Sequence, residues 1–310
     1  MSAAQSLPRV APLRSSGQGR ERWARYAGRG VLYVLATLAA IVFMGPFLFA
    51  ISGSLKSAAE IHIFPPALLP AQPAFENYAR LFDLPGVYFA RWYLNSIIIT
   101  CASVLGTVVT ACAAAYGFSR FRWRLRDFFF MVLLSTLVLP EEVVIIPKFL
   151  LFHYVPLALF GHTWIDTWWP LIVPSWFGGG AFSIFLLRQF FLQVPRDLDE
   201  AATIDGANSW QILWQILLPL AQPALATVAI FSFLTHWNDF FHPLIYLSTV
   251  ESFPLSVGLR WFQQSATDPS QPREHLLMAA SILMVMPCVL IFFTMQRYFV
   301  RGIVMSGIKG

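Results

Sequence analysis

Chemistry at neutral pH needs carboxylates, imidazoles or thiols held within reach of one another, and this chain is sparing with all three. It has 16 Asp and Glu, six His and three Cys among 310 residues. The acidic residues concentrate in a few places. One is the run 195–206, with Asp197, Asp199, Glu200 and Asp205; another is the pair Glu141 and Glu142; Asp239, beside the polar Asn238, lies inside an otherwise apolar stretch. An intramembrane enzyme needs a paired-carboxylate or Ser–His constellation, and the sequence suggests none. The histidines lack the His-x-x-x-His spacing of a metal site, and no Gly-x-x-x-x-Gly-Lys-Ser/Thr phosphate loop occurs. The pattern therefore points away from catalysis by this chain, and no metal is expected.

The run 195–206 is punctuated like a short helix. Asp197 is placed to cap its first turn, with Glu200 three residues later completing a capping box. Leu198, Ala201 and Ala202 fall on one side, leaving Asp199 and Asp205 elsewhere. Gly206 then supplies a left-handed stop. Asn208 or Ser209 caps a second helix, 210–218, and Pro219 and Pro223 mark the turn into the next apolar segment. The expected product is a helix–Gly–helix elbow. Small alanines on a short exposed helix let another protein's groove close around the backbone. The plainer alternative is that Glu200 only caps and the alanines only favour helix.

The elements that must carry this elbow lie in lipid. Residues are 57% hydrophobic and only 12% charged, against about a quarter charged in soluble domains. Several uncharged runs approach or exceed the roughly 20 residues that cross a bilayer. The reading is all-α, with six spans at 31–51, 93–118, 128–150, 170–191, 223–247 and 276–297. A tail (1–30) precedes a transmembrane domain (31–297) whose substantial internal loop is 192–222, and a tail (298–310) follows. The apolar run at 31–51 is too long for a signal-peptide core.

The net charge of +5 is no nucleic-acid signal. Lys and Arg cluster in the N-tail, at 119–127, around Arg188 and Arg196, and in the C-tail. Lys56, Arg80, Arg91, Lys148, Arg260 and Arg273 lie opposite, so both termini are expected in the cytoplasm. The first external loop, 52–92, carries five prolines and reads as ordered surface. The cysteines read as small apolar packing residues. Intramembrane ionisable residues face a cavity or a partner, so Asn238, Asp239 and Glu141 are candidates for a translocation path; hydrogen bonding between helices is the alternative for Asp239. Gly178, Gly179 and Gly180 either break the fourth span or admit a close-packed neighbour.

The series Glu200-Ala201-Ala202, Asp205-Gly206-Ala207, Trp210, Ile216, Pro219-Leu220 and Pro223 resembles the EAA loop of ABC importer permeases, in their sugar-importer branch. The similarity extends to Asn95-Ser96, Tyr116-Gly117-Phe118-Ser119-Arg120, Pro140 and Pro147, Phe185 to Phe191, Trp237-Asn238-Asp239, and the tail Gln296 to Gly302 with Gly307 to Gly310. It covers about 31–310. What the resemblance implies is a type I importer permease fold and a permease that binds no cofactor. ATP and Mg would be used by two partner ATP-binding subunits. A second homologous permease subunit would complete the path, and an extracytoplasmic solute-binding protein would deliver a carbohydrate or related solute. Glu200, Ala201, Ala202, Asp205 and Gly206 would couple the ATPase to the spans. An ion-coupled secondary carrier is the rival; it should show carboxylates buried in several spans and inverted repeats.

Overall fold

The computed structural model describes residues 17–65, 67–266 and 273–307, all helix, turn and loop. Residues 1–16 of the expected N-tail and 308–310 of the closing motif lie outside the described residues. The chain divides into two units, 1–52 and 53–310.

The first unit carries most of a single helix, Gly17–Ser54, with Pro46 inside it. The helix begins within the segment read as a tail, where four Arg and two Ala between Gly17 and Arg29 propagate helix well.

In the second unit, five of the six apolar runs prove to be helices of which several are interrupted. The second span, Phe89–Arg120, is continuous. The run 128–150 is not one helix. Arg126–Ser135 passes into a 3-10 turn at Thr136–Val138, and a separate helix, Glu141–Phe160, starts after Pro140. Proline forces the residue before it out of the helical region, so Leu139 turns extended. Pro147, expected to bracket the end of a span, lies inside Glu141–Phe160 together with Pro156. The fifth run ends its helix, Gln222–Trp237, at Asn238, and a short helix, Phe241–Tyr246, follows. The last, Glu274–Gly307, runs beyond the expected boundary with Pro287 inside it.

The fourth run is broken, which resolves the two readings of its glycines. Trp169–Ile172 and Val173–Trp176 are separated from Ala181–Gln193 by Gly178, Gly179 and Gly180, all with positive φ. Close packing holds as well: a Cβ at Gly179 would meet the Thr107 carbonyl oxygen of the second span at 2.6 Å.

The second span runs through both buried clusters of the unit. At its Phe89 end, Trp92 packs with Tyr246, Trp237, Leu255 and Phe262. At its Arg120 end, Ala111, Cys112 and Ala115 pack with Leu187, Phe191, Ile212 and Leu217. Asn95 and Ser96 are fasteners. The Asn95 amide donates to the Glu251 and Phe253 carbonyls at 2.8 and 2.9 Å, Ser96 Oγ accepts from the Leu255 amide at 2.7 Å, and the Trp92 indole donates to the Val250 carbonyl at 2.8 Å. They satisfy backbone groups of a segment that has no ladder of its own.

The segment 248–275, between the fifth and sixth spans, contains the helix Leu255–Ala266. Leu255, Val257 and Phe262 make it part of the core. Asp166, placed outside the spans, sits at φ +62°. Its carboxylate accepts from the Ser248 and Thr249 amides at 2.8 and 2.9 Å and from the Thr249 hydroxyl. Burial pushes this carboxyl up, but those three donors outweigh it and hold its pKa below the usual carboxylate value. Asp166 is a structural tie.

Candidate functional site

The elbow forms as two helices around Gly206. The first, Asp197–Ile204, ends with the Gly206 amide donating to the Thr203 carbonyl at 3.1 Å and the Ala207 amide to the Ala202 carbonyl at 2.9 Å. That pair of bonds is the Schellman arrangement, and Gly206 at φ +87° is its left-handed residue. The capping box expected at Asp197 is absent. Arg196 holds the N-cap position with helical φ and makes no side-chain cap, so Asp197 lies inside the first turn. A side-chain cap needs an extended backbone at that position. Such a box does occur one helix later: Asn208 is extended, its side chain accepts from the Gln211 amide at 3.0 Å, and the Gln211 side chain accepts from the Asn208 amide at 2.8 Å.

The second elbow helix covers Ser209–Leu220. Its middle, Ile212–Leu217, is a π-turn. Pro219 cannot donate a backbone hydrogen bond, and a widened turn just before it takes up the mismatch. The chain then bends by 80° into Gln222–Trp237.

The elbow has two faces. One is anchored: Ile212, Leu213 and Leu217 are buried, and Ala202 and Ala207 pack against the same cluster. The other is apolar and open, with Ile204 86%, Trp210 66% and Trp214 61% exposed. Glu200, Ala201, Asp205 and Gly206 are exposed beside them. Large apolar side chains held open on a short segment between spans can serve as a contact surface.

The candidate path residues fall into a second group, around the break in the fifth span. Asp239 accepts from the His242 amide at 3.3 Å, and its carboxylate lies 3.0 Å from His242 Nδ1. His242 Nε2 is 3.3 Å from Glu141 Oε1, which is also 3.6 Å from Lys148 Nζ. Glu141 and Asp239 are therefore brought together, through a histidine and a lysine that sequence reasoning passed over. Asn238 is not part of the set: its amide donates to the Leu234 carbonyl at 2.8 Å and closes its own helix. Nor is Glu142. Helix spacing did not predict His242, because its pairing with Glu141 joins two elements about a hundred residues apart, whereas Lys148 lies on the same helix as Glu141. Among the described residues, no group of three or more His, Cys, Asp or Glu is placed to hold a metal ion.

Comparison with known proteins gives this arrangement its context. The family described as "binding-protein-dependent transport system inner membrane component" matches residues 106–305. The arabinooligosaccharides transport system permease protein of Bacillus subtilis is 29% identical over 284 residues, 91% of this chain and 96% of that protein. The sn-glycerol-3-phosphate transport system permease protein of Brucella abortus is 31% identical over 277 residues, 88% and 94%. A chain from the crystal structure of a bacterial ABC transporter involved in the import of the acidic polysaccharide alginate superposes with a TM-score of 0.75 at 28% identity, covering 93% of this chain and 100% of that one. The fold, the broken spans and the glycine elbow all lie within that shared length, and the chain belongs to the inner-membrane permease components of binding-protein-dependent ABC importers.

Proposed function

We propose that this chain forms half of the translocation path for a carbohydrate or related polar solute, with both termini and the elbow in the cytoplasm. A second homologous permease subunit completes the path. Two ATP-binding subunits hold and hydrolyse Mg-ATP, one of them gripping this elbow, and an extracytoplasmic binding protein delivers the solute. The names of the relatives, which carry arabinooligosaccharides and glycerol 3-phosphate, support the solute class. Alternating access is then a two-state equilibrium biased by the ATPase partner.

The observation that carries the coupling role is the open apolar face at Ile204, Trp210 and Trp214, on an elbow fused at both ends to helices of the bundle. Glu200, Ala201, Asp205 and Gly206 are exposed on the same elbow, and Ala202 seats it against the bundle. The polar set Glu141, Asp239, His242 and Lys148 supports a path role at the break, since ionisable groups are costly against lipid and belong on a wet face or beside a partner.

The test is copurification of the ATPase subunits with tagged permease. Ile204→Glu places a charge in the apolar contact and is expected to reduce the bound ATPase by roughly tenfold or more. Glu200→Ala removes no cap, so the melting temperature of the chain should stay unchanged. Any loss of ATPase from that variant reports a direct contact made by the carboxylate. Full ATPase binding by Ile204→Glu would remove the coupling role from this surface.

A further inference from the structure

We infer that Arg120 and Asp199 form a clasp through which the elbow moves the second span. The inference rests on the reading that an ATPase partner drives the elbow. The elbow is covalently continuous with Ala181–Gln193 and with Gln222–Trp237. Its hold on the second span is made by side chains. Arg120 is the last residue of that span. Its side chain is 6% exposed, and its Nε lies 3.2 Å from Oδ2 of Asp199, itself 20% exposed.

The pair is reinforced from both sides of the joint. Arg120 donates to the Val194 carbonyl at 3.1 Å, ahead of the elbow helix. Arg196 donates back to the Ser119 carbonyl at 3.1 Å, and Arg188 to the Phe118 carbonyl at 3.3 Å. The Tyr116 hydroxyl donates to the Ser209 carbonyl at 3.0 Å, beyond the elbow glycine. The last carbonyls of a helix have no partner within it and carry its negative pole, so guanidinium groups suit this end. The second span is thus enclosed by the segments on both sides of Gly206.

Asp199 has a distinct place in this set. Its other oxygen, Oδ1, and the Arg120 Nε are both buried without a hydrogen-bond partner among the described residues, so the two residues are held by charge rather than by a formed hydrogen bond. Arg120 balances that charge, and losing it would strand a buried carboxylate. Asp199 therefore faces the span from the same short helix that turns Ile204 outward. A swing of the elbow must carry Arg120 with it or break the pair. At its far end the second span holds the segment 250–255 through Trp92, Asn95 and Ser96, so motion entering at Arg120 reaches the other end of the unit along one unbroken helix.

The experiment uses the assembled importer with its partner subunits and MgATP alone. Asp199→Asn and Arg120→Gln should retain the ATPase subunits at the wild-type level. Their basal ATP hydrolysis should rise roughly fivefold or more, because closure of the ATPase pair no longer drags the second span. The exchanged pair, Arg120→Asp with Asp199→Arg, should return hydrolysis toward the wild-type rate. Two results overturn the clasp while leaving the elbow reading intact. One is hydrolysis within about twofold of wild type in both single variants with the ATPase still bound. The other is loss of the ATPase from the single variants and the exchanged pair alike, which assigns the residues to building the elbow. Failure of the elbow reading itself shows separately, as undiminished ATPase binding by Ile204→Glu.

Discussion

A chain carrying Gly206→Pro is expected to reach the membrane at the wild-type level and to lose transport and stimulated ATP hydrolysis by roughly a hundredfold. Gly206 sits at φ +87°, and proline is locked near −65°. The substitution also removes the amide that donates to Thr203 and breaks the geometry that lets the Ala207 amide reach Ala202. The first elbow helix then has no defined end, and Ile204 and Trp210 lose their fixed relation. Nothing lies within 4 Å of where a Cβ at Gly206 would stand. Gly206→Ala therefore meets only backbone strain, about 1–2 kcal/mol for a left-handed non-glycine residue, and should transport at a reduced but measurable rate. Immunoblotting of membranes, with uptake and ATPase assays on the same preparations, separates insertion from coupling. Equal transport by the proline and alanine variants would show that the left-handed stop is not what matters here.

The second large effect is expected on assembly. At Gly179, φ is +60°, and a Cβ would lie 2.6 Å from the Thr107 oxygen and 2.9 Å from its Cα. Both atoms are backbone of the second span, so no side chain can swing aside. Gly179→Val adds a β-branched residue in a region such residues do not adopt. The cost should exceed about 4 kcal/mol, in the range reserved for overpacked or strained core positions. Fluorescence-detected gel filtration should show aggregated or degraded permease. Gly180→Ala is the matched control: its φ is +84°, but its Cβ would point into open space. It should remain monodisperse with a modestly lower melting temperature. A monodisperse, normally melting Gly179→Val chain would mean that the fourth and second spans can part freely at this crossing.

Bilayer thickness makes spans legible, because a run of apolar residues long enough to cross has few other uses in a chain this poor in charge. The elbow was legible for a different reason: Gly206 and Asn208 are residues whose backbone preferences end one helix and start another. The capping box at Asp197 was misread because its spacing is right while the backbone is not. Arg196 is already helical there and is tied to Ser119, a contact no local pattern announces. The interruption at Leu139 was missed because proline inside lipid is often tolerated, as Pro147 and Pro156 show. The glycine triplet was recognised as special, and it both breaks the helix and admits a neighbour. Arg120 with Asp199, and Glu141 with His242, are pairs across tertiary joints. Periodicity carries no information about them; only the packing of the second span against the elbow, or of one break against another, creates them.

The proposed function requires the elbow to be wet on the inner side of the membrane and covered there by an ATPase subunit. The direct measurement starts from a chain in which Cys101, Cys112 and Cys288 are replaced by alanine and Ile204→Cys is added. A membrane-impermeant maleimide is applied to spheroplasts and to inside-out vesicles, with and without the ATPase subunits. The thiol at position 204 should label only in inside-out vesicles, and bound ATPase should protect it. Labelling from intact spheroplasts, or labelling that bound ATPase leaves undiminished, would contradict the account.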